Sequence, residues 1–453
     1  MQFSELSIEN LIAPAAFPCA CGKVHKTPLK FVKIGAGAVN ALPEALRVMG
    51  TKKPFVVCDP NTLRAAGERV YTVLKSAGID FVPFTFAREE IEPDEWAVGS
   101  IAMALDPSCD CLLAVGSGVI NDLCKVVGHA TGKPSLVVGT APSMDGYASN
   151  SSSMIVNGVK TTLYNRVPEA ILADTDIMKN APMRMLRAGL GDMLAKYISI
   201  CEWRISHLVT GEYYCEEVAR LVRRSLKKCV DAAPGLPGRD GAAVGAIAEG
   251  LILSGMAMGF AEVSRPASGL EHYFSHMWEM MALERGHKSD LHGIQVGVGT
   301  KLTMQIYQKI LRLTPDRARA MAVTENFDAA AWEAQVRRIF GKTAPQILQI
   351  EEKTHKNDPQ KHAARVERLI GHWDEVLSII REELPSYDFI TGVMRAAGLP
   401  MTPAEINVSL ADTRDALLGA RDIRDKYLSC SMLWDLGYLD EFVRDIEAEA
   451  NQI

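Results

Sequence analysis

Residues 111–122 read Cys-Leu-Leu-Ala-Val-Gly-Ser-Gly-Val-Ile-Asn-Asp. Five apolar residues run into a turn at Gly116-Ser117-Gly118, and a helix-compatible segment follows it. The same alternation extends in both directions. Upstream, Phe31–Ile34 leads through Gly35-Ala36-Gly37 into a helical stretch ending at Met49. Phe55–Cys58 is closed by Asp59 and followed by a helical pattern over Asn61–Ala77, and Phe81–Phe84 repeats the short apolar run. Downstream, Leu136–Val138 leads into Thr140-Ala141-Pro142-Ser143. Short apolar runs separated by helical stretches of this length predict βαβ units and a parallel sheet. Met154–Tyr164 breaks the pattern with Asn157-Gly158 between β-formers, a hairpin signal because both residues tolerate positive φ.

Beyond about residue 180 the β-like alternation stops. Met183–Ile205, Glu212–Ala233, Ala242–Val263, Gly269–Leu283 and Gly293–Arg312 all read as helices. The expected organisation is an α/β domain over residues 1–180 and an all-α domain over 181–453, divided near Asn180-Ala181-Pro182. Glu351–Arg365 is rich in charge and is expected to be a solvated helix or loop.

Composition narrows the function classes. The 453 residues are 48% hydrophobic and 23% charged, the balance of a folded protein, and allow two domains with separate cores. A net charge of −6 offers no broad positive field, which argues against nucleic acid as a partner. The first residues lack a basic stretch followed by a continuous apolar one, so no signal peptide is expected. No run of eighteen apolar residues occurs, so no membrane span is expected either. Ten cysteines at irregular spacing suit reduced thiols in a cytoplasmic protein.

A glycine-rich strand-to-helix turn lets backbone N–H groups approach a pyrophosphate, and the helix terminus adds partial positive charge. Two such turns exist, Gly35-Ala36-Gly37 and Gly116-Ser117-Gly118. Neither completes the three-glycine dinucleotide pattern, because the third position is Asn40 in one and Asn121 in the other. Asp59 stands where a carboxylate could accept hydrogen bonds from a ribose diol, or could simply cap the next helix. The second turn is followed, one βα unit later, by hydroxyls, a proline and a carboxylate in Thr140–Ser149. Doubly wound sheets place ligands at such carboxyl ends.

The helical half carries metal-ligand chemistry. Asp192 is expected at the start of a long helix. His272 and His276 are four apart, on one helix face, and His292 opens the following helix. Imidazoles with one carboxylate and an open position suit a catalytic Zn, Fe or Ni ion. Each residue also has a structural reading, as a buried histidine or a helix cap, and spacing does not decide between them. Near the N-terminus Cys19, Cys21 and His25 could hold a structural zinc or be free thiols on a hairpin. No fourth ligand is evident from sequence.

The strings GSGVINDLCK, TAPSMDGYAS, AGLGDMLAK, SGLEHYFSH and LHGIQVGVGT occur in this order. Together they resemble the sn-glycerol-1-phosphate dehydrogenase family, in the iron-containing alcohol dehydrogenase and dehydroquinate synthase-like superfamily. The likeness is strongest to the bacterial branch encoded in arabinose operons, and it is dense over residues 30–300. It implies a Rossmann-like α/β domain followed by a helical domain. It further implies NAD(H), with NADP(H) also possible, and one divalent metal.

By this resemblance Gly116, Ser117, Gly118, Val119 and Ile120 hold the dinucleotide pyrophosphate. Thr140, Ala141, Pro142 and Ser143 contact it further along, and Ser149 lies near the nicotinamide half. Asp192, His272 and His292 are the implied metal ligands. Asp145, Asp192 and His276 are the implied substrate contacts, with Asp192 and His276 catalytic. The segment holding Glu284, Arg285, Gly286, His287 and Lys288 is longer than the family pattern, so His287 competes with His292 as third ligand. The implied substrate is a small phosphorylated polyol, and the implied role is supply of a lipid glycerophosphate backbone. Competing readings are a dehydrogenase of glycerol or another polyol and a dehydroquinate synthase-like lyase. Lys160, Arg285 and Lys288 are candidates for the phosphate. A homodimer is expected from general frequency alone.

Overall fold

The computed structural model describes residues 2–452 and divides into two compact units. The first comprises residues 1–193 and 215–264, and the second residues 194–214 and 265–453. A single cut near residue 180 therefore does not describe the chain: the break follows Met193, and one stretch of the helical half returns to the first unit.

The first unit is built on a six-stranded sheet. A small hairpin, β1 (Ala16–Pro18) and β2 (Val24–Lys26), precedes it. The sheet strands are β3 (Phe31–Gly35), β4 (Pro54–Cys58), β5 (Val82–Thr85), β6 (Cys111–Gly116), β7 (Ser135–Gly139) and, after a second hairpin of β8 (Ser151–Val156) and β9 (Val159–Tyr164), β10 (Ala170–Asp174). Their spatial order is β3-β10-β7-β6-β4-β5, with every neighbouring pair parallel. The four inner strands are buried at every position, which is why β4, β6 and β7 carry continuous apolar runs rather than alternating ones. Between them run α1 (Leu42–Met49), α2 (Glu68–Ser76), α3 (Glu95–Ala104) and α4 (Gly118–Thr131). Leu46, Val70 and Leu74 from α1 and α2 pack with Val56, Val115, Val138 and Leu172 of the sheet in one apolar core.

Chain order reverses between β4 and β6. From β4 the chain moves outward to β5, and it then re-enters on the other side of β4 to build β6, β7 and β10. In sheets of this kind the crevice at such a switch point is where ligands bind. The hairpin signal at Asn157-Gly158 is realised as a two-residue turn with φ of 53° and 73°, and Val156 faces Val159 across it.

Helix α5 (Met183–Leu194) follows β10 and carries the break between units, with α6 (Lys196–Thr210) beyond it. Helices α7 (Glu216–Ala232) and α8 (Gly241–Ala261) belong to the first unit. By length and composition α8 could cross a membrane, with mean hydropathy 1.6 in its most apolar window, but 78% of that window is buried within the protein. It packs against α7, the 145–148 turn, β2 and β3, and so reads as a core helix.

The second unit is helical. It contains α6, α9 (Leu270–Glu284), α10 (His292–Ile310) and a series of shorter helices from Arg317 to Glu449. Glu351–Arg365 spans the end of one of these helices, an intervening turn and the start of the next. Helices α9 and α10 approach closely at Gly299, where a Cβ would lie 2.4 Å from the Glu271 carbonyl oxygen.

Candidate active site

In the first unit, β6 ends at Gly116 and α4 begins at Gly118, with Ser117 between them and no side chain capping the helix. An uncapped terminus of a fourteen-residue helix keeps its first N–H groups for an anion. Gly116 is required by packing, since a Cβ there would sit 2.7 Å from Cβ of Ile120. The Ser117 hydroxyl lies 2.6 Å from that of Ser143, tying the turn to the Thr140–Ser143 loop after β7. Tyr147 donates to the Ala141 carbonyl (2.6 Å), and burial pushes its phenol up to about 12, so it stays a donor.

Asn121, at the position a third glycine would occupy, donates from its amide to the Gly146 carbonyl (3.3 Å). Lys125, fully buried one turn later, pairs with Asp122 (2.8 Å) and donates to the carbonyls of Gly146 (3.2 Å) and Ser151. Sequence reasoning passed over Lys125, which holds the loop that carries Asp145 and Ser149. Ser149 is buried and donates to the Ser151 carbonyl (3.1 Å).

The other glycine turn is already filled. Asp174, at the end of β10, accepts hydrogen bonds from Gly37 N and Val39 N, both at 3.1 Å. The protein's own carboxylate neutralises that terminus, so Gly35-Ala36-Gly37 is a structural turn. Asp59 directly follows β4, the strand beside β6 at the switch point. Its Oδ1 accepts from Thr62 N (2.8 Å) and caps the short helix Pro60–Thr62. Capping and a place beside the Gly116-Ser117-Gly118 turn thus coincide in one residue.

Asp192 is fully buried in the last turn of α5, not at a helix start as the sequence reading had it. Its Oδ2 accepts from Asp145 N (2.9 Å), and the Asp145 carboxylate accepts from Ser254 of α8 (2.9 Å). Gly189 sets the seat of α5, because a Cβ there would fall 1.9 Å from the Pro142 carbonyl oxygen. The Thr140–Ser143 loop and the buried aspartate are therefore positioned by one contact.

In the second unit three imidazoles cluster. Ring centroids of His272 and His292 are 5.2 Å apart, those of His276 and His292 5.6 Å, and those of His272 and His276 6.3 Å. His287 is exposed and outside this group, so the geometry brings His292 to the pair. His272 Nδ1 lies 2.8 Å from Glu271 Oε1, and His292 Nδ1 lies 3.2 Å from Glu279 Oε1 and 3.1 Å from the Ser275 hydroxyl. An imidazole whose Nδ1–H donates to a carboxylate carries its lone pair on Nε2, the state of a metal ligand, so this donor chemistry fits a divalent ion. Burial holds the His276 imidazole well below its ordinary pKa, and its Nδ1 faces Glu279 at 3.5 Å. Arg424, from the loop before Ser429, is a charge that acts on His276 and Tyr273 and that sequence reading had missed. Of the phosphate candidates, Arg285 is engaged by Asp412 through two ion contacts at 2.7 and 2.9 Å.

Residues 33–182 match the family described as iron-containing alcohol dehydrogenase. The fold resembles a probable glycerol dehydrogenase of Sinorhizobium meliloti 1021 (TM-score 0.57, 20% identity, 92% of this chain and 98% of that one) and glycerol dehydrogenase of Schizosaccharomyces pombe (TM-score 0.59, 13% identity, 94% and 92%). The chain is 36% identical over 302 residues to glycerol-1-phosphate dehydrogenase [NAD(P)+] of Halalkalibacterium halodurans, covering 66% of this chain and 75% of that protein. It is 31% identical over 414 residues to the same-named protein of Bacillus velezensis, covering 90% and 92%. Likeness at that level, over nearly the whole of a relative's length, means that the chain belongs to the glycerol-1-phosphate dehydrogenase family of the iron-containing alcohol dehydrogenases.

Proposed function

We propose that this chain is an NAD(P)- and metal-dependent dehydrogenase that interconverts dihydroxyacetone phosphate and sn-glycerol 1-phosphate by hydride transfer. The observation that carries this reading is the pair His272 and His292, adjacent and each held through Nδ1 by a carboxylate, in a chain whose relatives are glycerol-1-phosphate dehydrogenases. Asp192, His272 and His292 would hold a divalent cation, which would supply Lewis-acid polarisation of the substrate carbonyl. A bound dinucleotide would supply the hydride chemistry in either direction.

The chain's own groups bind and orient. The N–H groups of Gly118, Val119 and Ile120 at the head of α4, with Gly116 and Ser117, receive the pyrophosphate. Thr140, Ala141, Pro142 and Ser143 line the next stretch of the dinucleotide, and Ser149 its nicotinamide half. Asp59 accepts from the ribose diol, which favours NADH over NADPH because a carboxylate repels a 2′-phosphate. Asp145, steadied by Ser254, contacts the substrate. His276, kept neutral by burial, takes the alcohol proton in the oxidation direction. Arg424, whose charge helps hold the His276 pKa down, is the candidate cation for the substrate phosphate.

Zn, Ni and Fe all suit two imidazoles and a carboxylate. Ten free cysteines fit a reducing, cytoplasmic setting. The test is turnover of dihydroxyacetone phosphate against unphosphorylated dihydroxyacetone, each with NADH and NADPH. The phosphate ester should be preferred in kcat/KM by about hundredfold or more, since a site built for a charged group is left unpaired without it. Equal use of both ketones overturns the substrate assignment in favour of a general polyol dehydrogenase. Asp192→Asn, His272→Ala and His292→Ala should each abolish turnover and lower bound metal, whereas His287→Ala should leave metal content intact.

A further inference from the structure

The first unit contains a second cluster of metal-ligand atoms, independent of the dehydrogenase site. It is built on the β1–β2 hairpin, paired from Ala16 opposite Lys26 to Pro18 opposite Val24. The connecting turn closes through Cys19 N to the Lys23 carbonyl and Gly22 N to the Cys19 carbonyl, both at 3.0 Å. Gly22 adopts φ 88°, a conformation that L side chains rarely take, and this lets the chain fold back between Cys21 and Lys23. The turn gathers Cys19 and Cys21 beside His25. Cys215, 190 residues further on, joins them from the residue preceding α7.

The four side chains face one another. Cys19 Sγ lies 3.6 Å from Cys215 Sγ, Cys21 Sγ lies 3.3 Å from His25 Nε2, and Cys215 Sγ lies 3.4 Å from the same nitrogen. All four ligand atoms fall within 4.8 Å of one another. Zinc bonds of about 2.3 Å to sulfur and about 2.0 Å to nitrogen, set tetrahedrally, put ligand atoms about 3.5–3.8 Å apart. The observed separations are close to that. They are far from the roughly 2.05 Å of a disulfide, and all ten cysteines are free.

A separate contact orients the imidazole. His25 Nδ1 lies 2.8 Å from the Phe260 carbonyl oxygen near the end of α8, so Nδ1 carries the proton and Nε2 turns its lone pair to the three sulfurs. His25 and Cys215 are each 1% exposed, and His25 is packed against Phe3 and Phe260, so the inner half of the cluster is closed to solvent.

We propose that Cys19, Cys21, His25 and Cys215 bind one structural zinc ion. Three thiolates and one imidazole without a carboxylate select a soft or borderline cation rather than Mg²⁺, Ca²⁺ or Mn²⁺. Four protein ligands leave no position for substrate, so the ion is structural. It clips the hairpin to α7 and α8. Strands of three residues cannot stand alone, and the ion adds to ties that are aromatic, Phe17 of β1 against Phe3 and Phe260, and polar, such as Lys23 to the Ala261 carbonyl (3.0 Å) and Ser4 to Glu217 (3.1 Å). In a reducing compartment a metal makes the cross-link that a disulfide makes elsewhere.

The experiment uses the full chain, with zinc counted by elemental analysis and with Co²⁺ substituted for zinc. Wild type should carry one metal equivalent more than Cys215→Ser or Cys21→Ser. Its Co²⁺ form should show intense thiolate-to-metal charge transfer in the near ultraviolet. That band should vanish in Cys215→Ser and persist in His272→Ala, because the dehydrogenase ligands include no thiolate. Cys21→His should keep the extra equivalent with a weaker band, which covers the case in which the serine variants fail to fold. Wild-type Co²⁺ protein without the band, or a Cys19–Cys215 disulfide in non-reducing mass spectrometry of protein purified without oxidant, overturns the proposal.

Discussion

The Glu271 carboxylate lies 2.8 Å from Nδ1 of its neighbour in sequence, His272, and also accepts from Gly269 N at 2.7 Å. A fully buried carboxylate on the outer nitrogen raises the basicity of the inner one and fixes the ring. Glu271→Gln keeps the size and removes the charge. Metal affinity should fall about 10–100-fold, the usual effect of losing such a support, with the fold retained. Competition against a chelator measures it, and an unchanged affinity removes Glu271 from the site.

The same carboxylate has a second consequence. Glu202 of α6 is buried, and its oxygens accept from Leu270 N (2.8 Å), Ser429 N (2.9 Å) and Tyr307 (3.2 Å). Burial, then the charge on Glu271, raises its pKa from 4.5 to about 7. A carboxyl whose pKa is higher folded than unfolded holds its proton in the native state alone between those two values. Its contribution is therefore full below about pH 4.5 and is lost as pH rises through about 7. Unfolding free energies from denaturant titrations should fall across this window in wild type, and Glu202→Gln should flatten that slope whatever its overall stability. An unaltered slope in the variant means that Glu202 is already ionised.

Which parts of this arrangement were legible follows from the range of the interactions involved. Strands β4, β6 and β7 announce themselves because burial on both faces demands continuous apolar runs. The Asn157-Gly158 turn does so because its φ values admit few residues. Strand β10 carried no glycine punctuation and went unread, and with it Asp174, whose carboxylate occupies the first glycine turn from 137 residues away. Lys125 was hidden because a lysine inside a helix looks like a solvated one until its carbonyl partners are known. Cys215 could not be matched to Cys19 and Cys21 by spacing, since only the return of α7 to the first unit brings it there. Local rules recover elements; pairings made by topology lie outside them.

Gly189 offers a test of how Asp192 is seated. A Cβ at that position meets the backbone oxygen of Pro142 at 1.9 Å, and backbone cannot swing aside as a side chain does. Gly189→Ala must therefore move α5 or the 140–143 loop, at a cost of about 3 kcal/mol, the upper range of overpacking. Thermal unfolding should show a drop of several degrees, and any folded fraction should have lost dinucleotide affinity along with activity. A variant with wild-type stability and dinucleotide affinity contradicts the described contact.

Asp59 combines a cap with a proposed nucleotide contact, and one substitution separates them. Asparagine caps helices as well as aspartate does but carries no charge. Asp59→Asn should therefore leave stability within about 0.5 kcal/mol of wild type. If the carboxylate discriminates against a 2′-phosphate, the variant should lower KM for NADPH by about tenfold, equivalent to about 1.4 kcal/mol of relieved repulsion. The KM for NADH should rise by a smaller factor. Unchanged values for both cofactors would leave Asp59 as a helix cap alone.

Arg424 is a further cation to test against the substrate phosphate. Its charge acts on both His276 and Tyr273, and Arg285, one of the candidates named from sequence with Lys160 and Lys288, is occupied by Asp412. A guanidinium that binds the substrate phosphate should matter only when the phosphate is present. Arg424→Ala should raise KM for dihydroxyacetone phosphate by about 10–100-fold, corresponding to loss of a charge-assisted hydrogen bond of about 1.5–3 kcal/mol. It should leave kcat/KM for dihydroxyacetone nearly unchanged. Arg424→Lys should recover part of the loss, because an ammonium still supplies charge without the planar fork. Equal damage to both substrates assigns Arg424 to the packing around His276 and leaves the phosphate to another cation.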